Sequence, residues 1–164
     1  KQKTAYEIMP SLVGSEMCIR DRFLANLVRP TGHVYTYEVR EDFVELAKKN
    51  IEMAGLSEFV TVKQKDICEG IDERGVDLVT LDIPKPEKAI PLAEGALRIG
   101  GYLFVFSPCI EPVQRVYEVL REHRFKELRT LECLVRDIEV KRSATRPSTR
   151  MIAHTGYMTF ARRV

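Results

Sequence analysis

Apolar and polar positions change period repeatedly along this chain, and from His33 onward short apolar runs alternate with amphipathic segments. Short continuous apolar runs suit strands buried on both faces, whereas apolar residues recurring every third or fourth position suit helices with one buried stripe. The pattern predicts strands over 34–38, 59–64, 77–82 and 102–107, the last two almost continuously apolar. It predicts a helix over 41–54, with Phe43, Ala47, Ile51 and Ala54 on one face and Gly55 as the stop. A second helix is predicted over 87–97, ended by Gly100 and Gly101. A third is predicted from about Glu111, with Pro112 in its first turn and Val113, Val116, Tyr117 and Leu120 as its buried stripe. Beyond Phe125 the segments 128–140 and 152–161 read as extended, separated by a polar stretch around Pro147, and two antiparallel strands closing the sheet account for them. Alternation of this kind is the signature of an α/β fold with a mostly parallel sheet.

Residues 1–22 break the pattern, mixing Pro10, Gly14, charges and apolar residues without a sustained period. The run AYEIMPSLVGSEMCIRDR resembles a translated sequencing adapter more than an evolved segment. The chain therefore reads as a non-native-looking segment, 1–22, followed by one domain, 23–164, with Phe23, Leu24 and Leu27 at the end of a helix.

With 164 residues, 45% hydrophobic and 30% charged, the chain is long enough for one continuous buried core. Its longest uncharged apolar stretches, such as 102–106, are far too short to cross a bilayer. Cys18, Cys68, Cys109 and Cys133 show neither disulfide-framework spacing nor a CxxC pair, which fits a reducing cytoplasm and argues against zinc. The net charge of +2 changes the picture only through its distribution: no Asp or Glu follows Glu139, while Lys141, Arg142, Arg146, Arg150, Arg162 and Arg163 do. A basic excess of this kind can neutralise phosphates and release their counterions; a solvated strand face accounts for it equally well.

Ligands of open α/β sheets bind outside the carboxyl ends of the strands. Glu38, Asp66, Asp82 and Ser107 stand at or just beyond the ends of the four predicted strands. An acid at the tip of the strand following the first helix can accept both hydroxyls of a ribose, the chemistry expected of Glu38. Asp66 can accept from an exocyclic adenine amine or cap the turn at 68–70. Asp82 opens Asp82-Ile83-Pro84-Lys85-Pro86, where two prolines hold the backbone extended and either present the acid or merely start a helix. Each acid taken alone is as well explained as a cap or turn former. No metal cluster, Ser-His-Asp arrangement or phosphate-cradling glycine loop competes with them. Arg146, Arg150, His154 and Tyr157 form a further candidate group, although singly a His is more often a satisfied polar residue and a Tyr more often core.

The segments Val34-Tyr35-Thr36-Tyr37-Glu38-Val39-Arg40-Glu41-Asp42-Phe43, Asp82-Ile83-Pro84-Lys85-Pro86, Ser107-Pro108-Cys109 and the ending from His154-Thr155-Gly156-Tyr157 to Arg162 resemble the tRNA (adenine-N1)-methyltransferase family, called TrmI, and its archaeal branch above all. The resemblance implies a Rossmann-like class I methyltransferase fold using S-adenosyl-L-methionine, with antiparallel C-terminal strands. It further implies action on adenine N1 in the T loop of tRNA, of the position-58 type and including the adjacent adenine, and assembly as a homotetramer. Carried over by motif, Glu38 holds the cofactor ribose, Asp66 faces its adenine, and Asp82 is the active-site carboxylate beside the cofactor. Arg146, Arg150, His154 and Tyr157 fall on the RNA and target-base side. Two departures stand out. The family's first strand and glycine-rich loop are missing or replaced, Gly14 being the only glycine before Phe23, and Glu87 stands where many relatives carry tryptophan. A chain so altered is expected to be poorly active. A non-catalytic RNA-binding subunit of such a complex, or a small-molecule methyltransferase, are the alternative readings.

Overall fold

The computed structural model describes residues 16–152 and 154–164. The chain divides between Glu69 and Gly70 into two compact units.

The first unit contains helix α1 (Glu16–Val28), strand β1 (Val34–Glu38), helix α2 (Glu41–Met53), strand β2 (Val60–Gln64) and a 3-10 turn, Ile67–Glu69. Helix α1 reaches seven residues into the segment read as non-native and ends at Val28; residues 1–15, with Gly14, lie outside the described part. Its Ala25 is fully buried, while Phe23 and Leu27 are exposed. Strands β1 and β2 pair in parallel, Val34 opposite Val60 and Glu38 opposite Gln64. Helix α2 ends where Gly55 adopts φ 66, a left-handed conformation open to glycine at little cost. The helix buries the expected Ala47 and Ile51 together with Val44, while Phe43 and Ala54 are half-buried, the Phe43 ring covered by the Arg40 guanidinium at 3.8 Å. Ala25, Ile51, Leu56 and Val60 make the core, with Val34, Ala54, Phe59 and Val62 packed around it. Each such fully buried aliphatic side chain stabilises by about 1.5–3 kcal/mol.

The second unit contains β3 (Val76–Leu81), a 3-10 turn (Pro86–Lys88), helix α3 (Ile90–Ala96), β4 (Leu97–Ser107), helix α4 (Ile110–Glu122), β5 (Phe125–Glu132), the short β6 (Ile138–Glu139) and β7 (Arg146–Pro147), and β8 (Tyr157–Arg163). The four main strands order as β3-β4-β8-β5: β3 and β4 are parallel, and β8 lies antiparallel between β4 and β5. The closing strands are antiparallel as expected, but β5 starts at Phe125 and ends at Glu132 instead of spanning 128–140, and β8 starts only at Tyr157. The polar stretch around Pro147, expected only to separate them, pairs its own Arg146 with Glu139. Among the described residues β1 pairs with β2 alone and β3 with β4 alone.

The helix expected over 87–97 is corrected. It shortens to α3, and β4 begins at Leu97 instead of at Tyr102. Glycines read as a helix stop sit within the strand: Val76 pairs with Leu97 but Leu78 with Tyr102, so β4 bulges where Gly100 takes φ 80. At Gly101 an added Cβ would lie 3.0 Å from the Arg98 carbonyl oxygen and 3.1 Å from that of Asp77, tight enough that the backbone would have to shift by a few tenths of an ångström. Helix α4 buries Val116 and Leu120 as predicted, with Val113 and Tyr117 half-buried. Helices α3 and α4 pack on the sheet. Its buried positions include Leu81, Leu103, Val105, Thr159 and Ala161.

Candidate functional site

In the first unit the parallel pairing makes β1 and β2 finish together, and the Lys65 amide donates to the Glu38 carbonyl at 3.1 Å. Glu38, the half-buried last residue of β1, and Asp66, two residues past β2, therefore emerge at one carboxyl edge. Glu38 Oε1 accepts from the Arg40 amide at 2.8 Å, which turns the chain into α2. The Arg40 side chain is held apart from that carboxylate, donating to the two oxygens of Asp42 at 3.2 and 2.6 Å. This hydrogen bond holds the Asp42 carboxyl below its ordinary range and raises the guanidinium. Asp66 Oδ1 accepts from the Cys68 amide at 2.8 Å and its carbonyl from the Glu69 amide at 3.0 Å, so it caps the 3-10 turn, one of the two roles foreseen for it.

In the second unit Leu81 ends β3 fully buried, and Asp82 after it is exposed at the carboxyl edge. Buried Pro86 anchors the far side of the Asp82-to-Pro86 turn and starts the 3-10 turn that follows. Register pairing Leu81 with Val105 brings Ser107, the last residue of β4, to the same edge. Ser107 is buried, and among the described residues its hydroxyl has no hydrogen-bond partner. Tyr157 lies directly opposite Ser107 on one side and Glu132 on the other. Residues 133–156 thus leave and rejoin the sheet at this carboxyl edge, forming an arm that carries β6 and β7. Arg146, Arg150 and His154 are exposed on that arm. Ser148 orders part of it: its hydroxyl donates to the Arg150 carbonyl at 2.9 Å, and its own carbonyl accepts from Arg136 Nε at 3.0 Å.

Two residues named in the sequence without a structural role have one here. Gly156 is buried because an added Cβ would sit 2.5 Å from the Phe106 ring, a close approach with no local sequence signal. Glu87 has a buried, unpartnered Oε2, while its Oε1 lies 3.7 Å from Arg115 Nε. An acid directly after the proline turn was the available clue.

These are acceptor-rich strand ends. Carboxylates at the tips of a parallel pair suit the hydroxyls and amine of a nucleoside, and the unpartnered Ser107 hydroxyl is a polar atom with capacity left over. Among the described residues no group of His, Cys, Asp or Glu has metal-site geometry, and no helix is long and apolar enough to cross a membrane.

The fold is that of the class I S-adenosylmethionine-dependent methyltransferases. A Thermotoga maritima S-adenosylmethionine-dependent O-methyltransferase superposes with TM-score 0.79 at 40% identity, over 86% of this chain and 53% of that one. The tRNA (m1A58) methyltransferase TrmI of Aquifex aeolicus superposes with TM-score 0.72 at 26% identity, over 86% and 57%. The chain belongs to the family described as tRNA methyltransferase complex GCD14 subunit, whose model matches residues 13–146. The Methanocaldococcus jannaschii tRNA (adenine(57)-N(1)/adenine(58)-N(1))-methyltransferase TrmI is 37% identical over 166 aligned residues, 85% of this chain and 59% of its own length. The chain thus spans little more than half the length of such relatives.

Proposed function

We propose that this chain is a methyltransferase domain that transfers a methyl group from S-adenosyl-L-methionine to adenine N1 in the T loop of tRNA, at position 58 and at the adjacent adenine. The observation that carries the reading is a family match spanning Glu38, Asp66 and Asp82, each at a carboxyl end of a parallel strand. In this reading the protein works in the cytoplasm as a homotetramer, with tRNA as partner and no metal.

S-adenosyl-L-methionine, when bound, supplies an electrophilic methyl group on a sulfonium. Glu38 accepts the ribose hydroxyls, and Asp66, one oxygen already committed to its turn, faces the adenine amine. The target N1 needs no deprotonation, since its lone pair is the nucleophile; the protein's task is to hold it in line at near-attack distance. Positive charge then develops on the target ring. Asp82, exposed beyond β3, is the carboxylate assigned to the N6 amine, a contact favoured more in the transition state than in the ground state. N1 lies on the Watson-Crick edge, so the base must leave its stack to reach the site. Arg146, Arg150, His154 and Tyr157 sit on the arm and at its root, where they hold the RNA and the flipped base.

Calorimetric titration of S-adenosyl-L-methionine and single-turnover methylation of a tRNA transcript test the reading on the Asp82→Asn and Glu38→Ala variants. Asp82→Asn lowers the single-turnover rate by about 100-fold with cofactor affinity nearly unchanged. Glu38→Ala weakens cofactor binding by about tenfold or more, the loss of charge-assisted hydrogen bonds. An unchanged rate removes Asp82 from the mechanism; a wild-type chain that binds tRNA but no cofactor is an RNA-binding subunit instead.

A further inference from the structure

Two bulges meet at the amino end of the second unit's sheet. The pairing of β4 with β3 slips between Val76 and Leu78, and Gly100 takes φ 80 there. The pairing of β5 with β8 slips between Lys126 and Arg129, and Glu127 takes φ 56, a left-handed conformation that a residue with a side chain adopts only at a cost. Bulges re-aim the side chains they carry. Here they brace two arginines: Arg98 Nε donates to Asp77 Oδ1 at 2.6 Å and its Nη1 to the Ile99 carbonyl at 3.1 Å, while Arg162 Nη1 donates to Glu127 Oε1 at 3.1 Å.

The two guanidiniums converge over Gly100. A Cβ built on that residue would lie 3.4 Å from Arg98 Nη1 and 3.7 Å from Arg162 Nη2, and among the described residues no other atom beyond the chain neighbours comes within 4 Å of that position. Two cations thus line a notch that the missing side chain keeps open. The bracing acids screen them weakly, since the side chains of Asp77 and Glu127 are 81% and 58% exposed. Lys126, opposite Arg162 in the strand register, adds a further positive charge, so three cations stand against two acids. Cations drawn to one point repel each other unless an anion lies between them. A phosphorus atom near that point sets its oxygens at charge-assisted hydrogen-bond length, about 2.7–2.9 Å, from both guanidiniums.

We propose that Arg98, Arg162 and the open backbone at Gly100 form a notch that holds one backbone phosphate of tRNA. The length of β4 between Gly100 and Ser107 puts the notch roughly 20 Å from the carboxyl edge that bears Asp82. A single nucleoside cannot reach both places; a polynucleotide can. The inference rests on the reading of the chain as a tRNA methyltransferase and adds to it a contact with a part of the RNA remote from the target base.

Binding of a tRNA transcript by the whole chain is measured across a salt series for wild type, Arg98→Gln, Arg162→Gln, the double glutamine variant and the double lysine variant at the same two positions. One shared phosphate predicts that the double glutamine variant binds about tenfold more weakly and loses about 0.9 from the slope of log affinity against log salt. Either single glutamine variant already shows most of that loss, and the double lysine variant, which keeps both charges, retains the wild-type slope. The single-turnover methylation rate at saturating tRNA stays at the wild-type level. The notch is overturned if the double glutamine variant binds tRNA with wild-type affinity and slope, or if the two single losses add up to those of two separate phosphates. Thermal melts with inorganic phosphate separate the two sources of the anion: stabilisation of wild type but not of the double glutamine variant, with equal tRNA binding by both, makes this a site for free phosphate and overturns the RNA assignment. A chain that binds and methylates tRNA equally in all variants keeps the tRNA reading without the notch; a wild-type chain that binds no tRNA overturns both.

Discussion

Asp21 shows how one side chain sets a pH dependence. It is buried in α1 at 5% exposure, with an unpartnered Oδ2, and burial pushes its carboxyl above the ordinary value of 3.8, against the pull of the Thr36 hydroxyl and the Arg20 guanidinium. The folded state therefore holds this proton more tightly than the unfolded chain. Stability from this group is greatest below the unfolded value and falls as pH rises through it toward the raised folded one. Asp21→Asn should raise the thermal midpoint at pH 7, with the difference vanishing below pH 3.8 in a pH series of melts. The site residues were unequally legible at this scale. Glu38 and Asp82 could be placed at strand ends because strand ends can be read from apolar runs. For Asp66 the Cys68 amide on one carboxylate oxygen shows the capping role, and the other role stays a proposal.

Elements depend on contacts that local sequence does not display. Strand β8 is inserted between β4 and β5, and its root is fixed where Gly156 passes the Phe106 ring. Gly156→Ala should cost about 1–3 kcal/mol in denaturant unfolding, because the added methyl forces the ring off its rotamer. The smaller side chain in Gly156→Ala with Phe106→Leu should recover part of that loss, an outcome a purely conformational effect at Gly156 would not give. Helices α2 and α4 followed from their 3.6-residue period. Helix α3 followed too, but over a shorter span than 87–97: a 3-10 turn takes its start, and Leu97 is claimed by β4 through pairing with β3.

On the scale of the molecule, the part of the basic tail from Lys141 to Arg150 lies on an arm that starts and ends at the edge bearing Asp82, Ser107 and Tyr157, while Arg162 and Arg163 stand at the other end of β8. If it holds phosphates, Arg146→Ala and Arg150→Ala should each weaken tRNA binding and lower the salt slope by about 1, measured by filter binding from 50 to 200 mM salt. An unchanged slope returns these arginines to the solvated face that charge alone allowed. The sequence by itself determined the fold class, most strand ends and the family. All three rest on hydrophobic period and short motifs, which are local and survive without knowledge of neighbours. Only the tertiary structure decided where β4 begins, that residue 156 passes the Phe106 ring, that Asp66 caps a 3-10 turn, and that Tyr35, Tyr37 and Lys63 share one face of their sheet. Those depend on register and close approach between segments distant in the chain, and no window of sequence contains both partners.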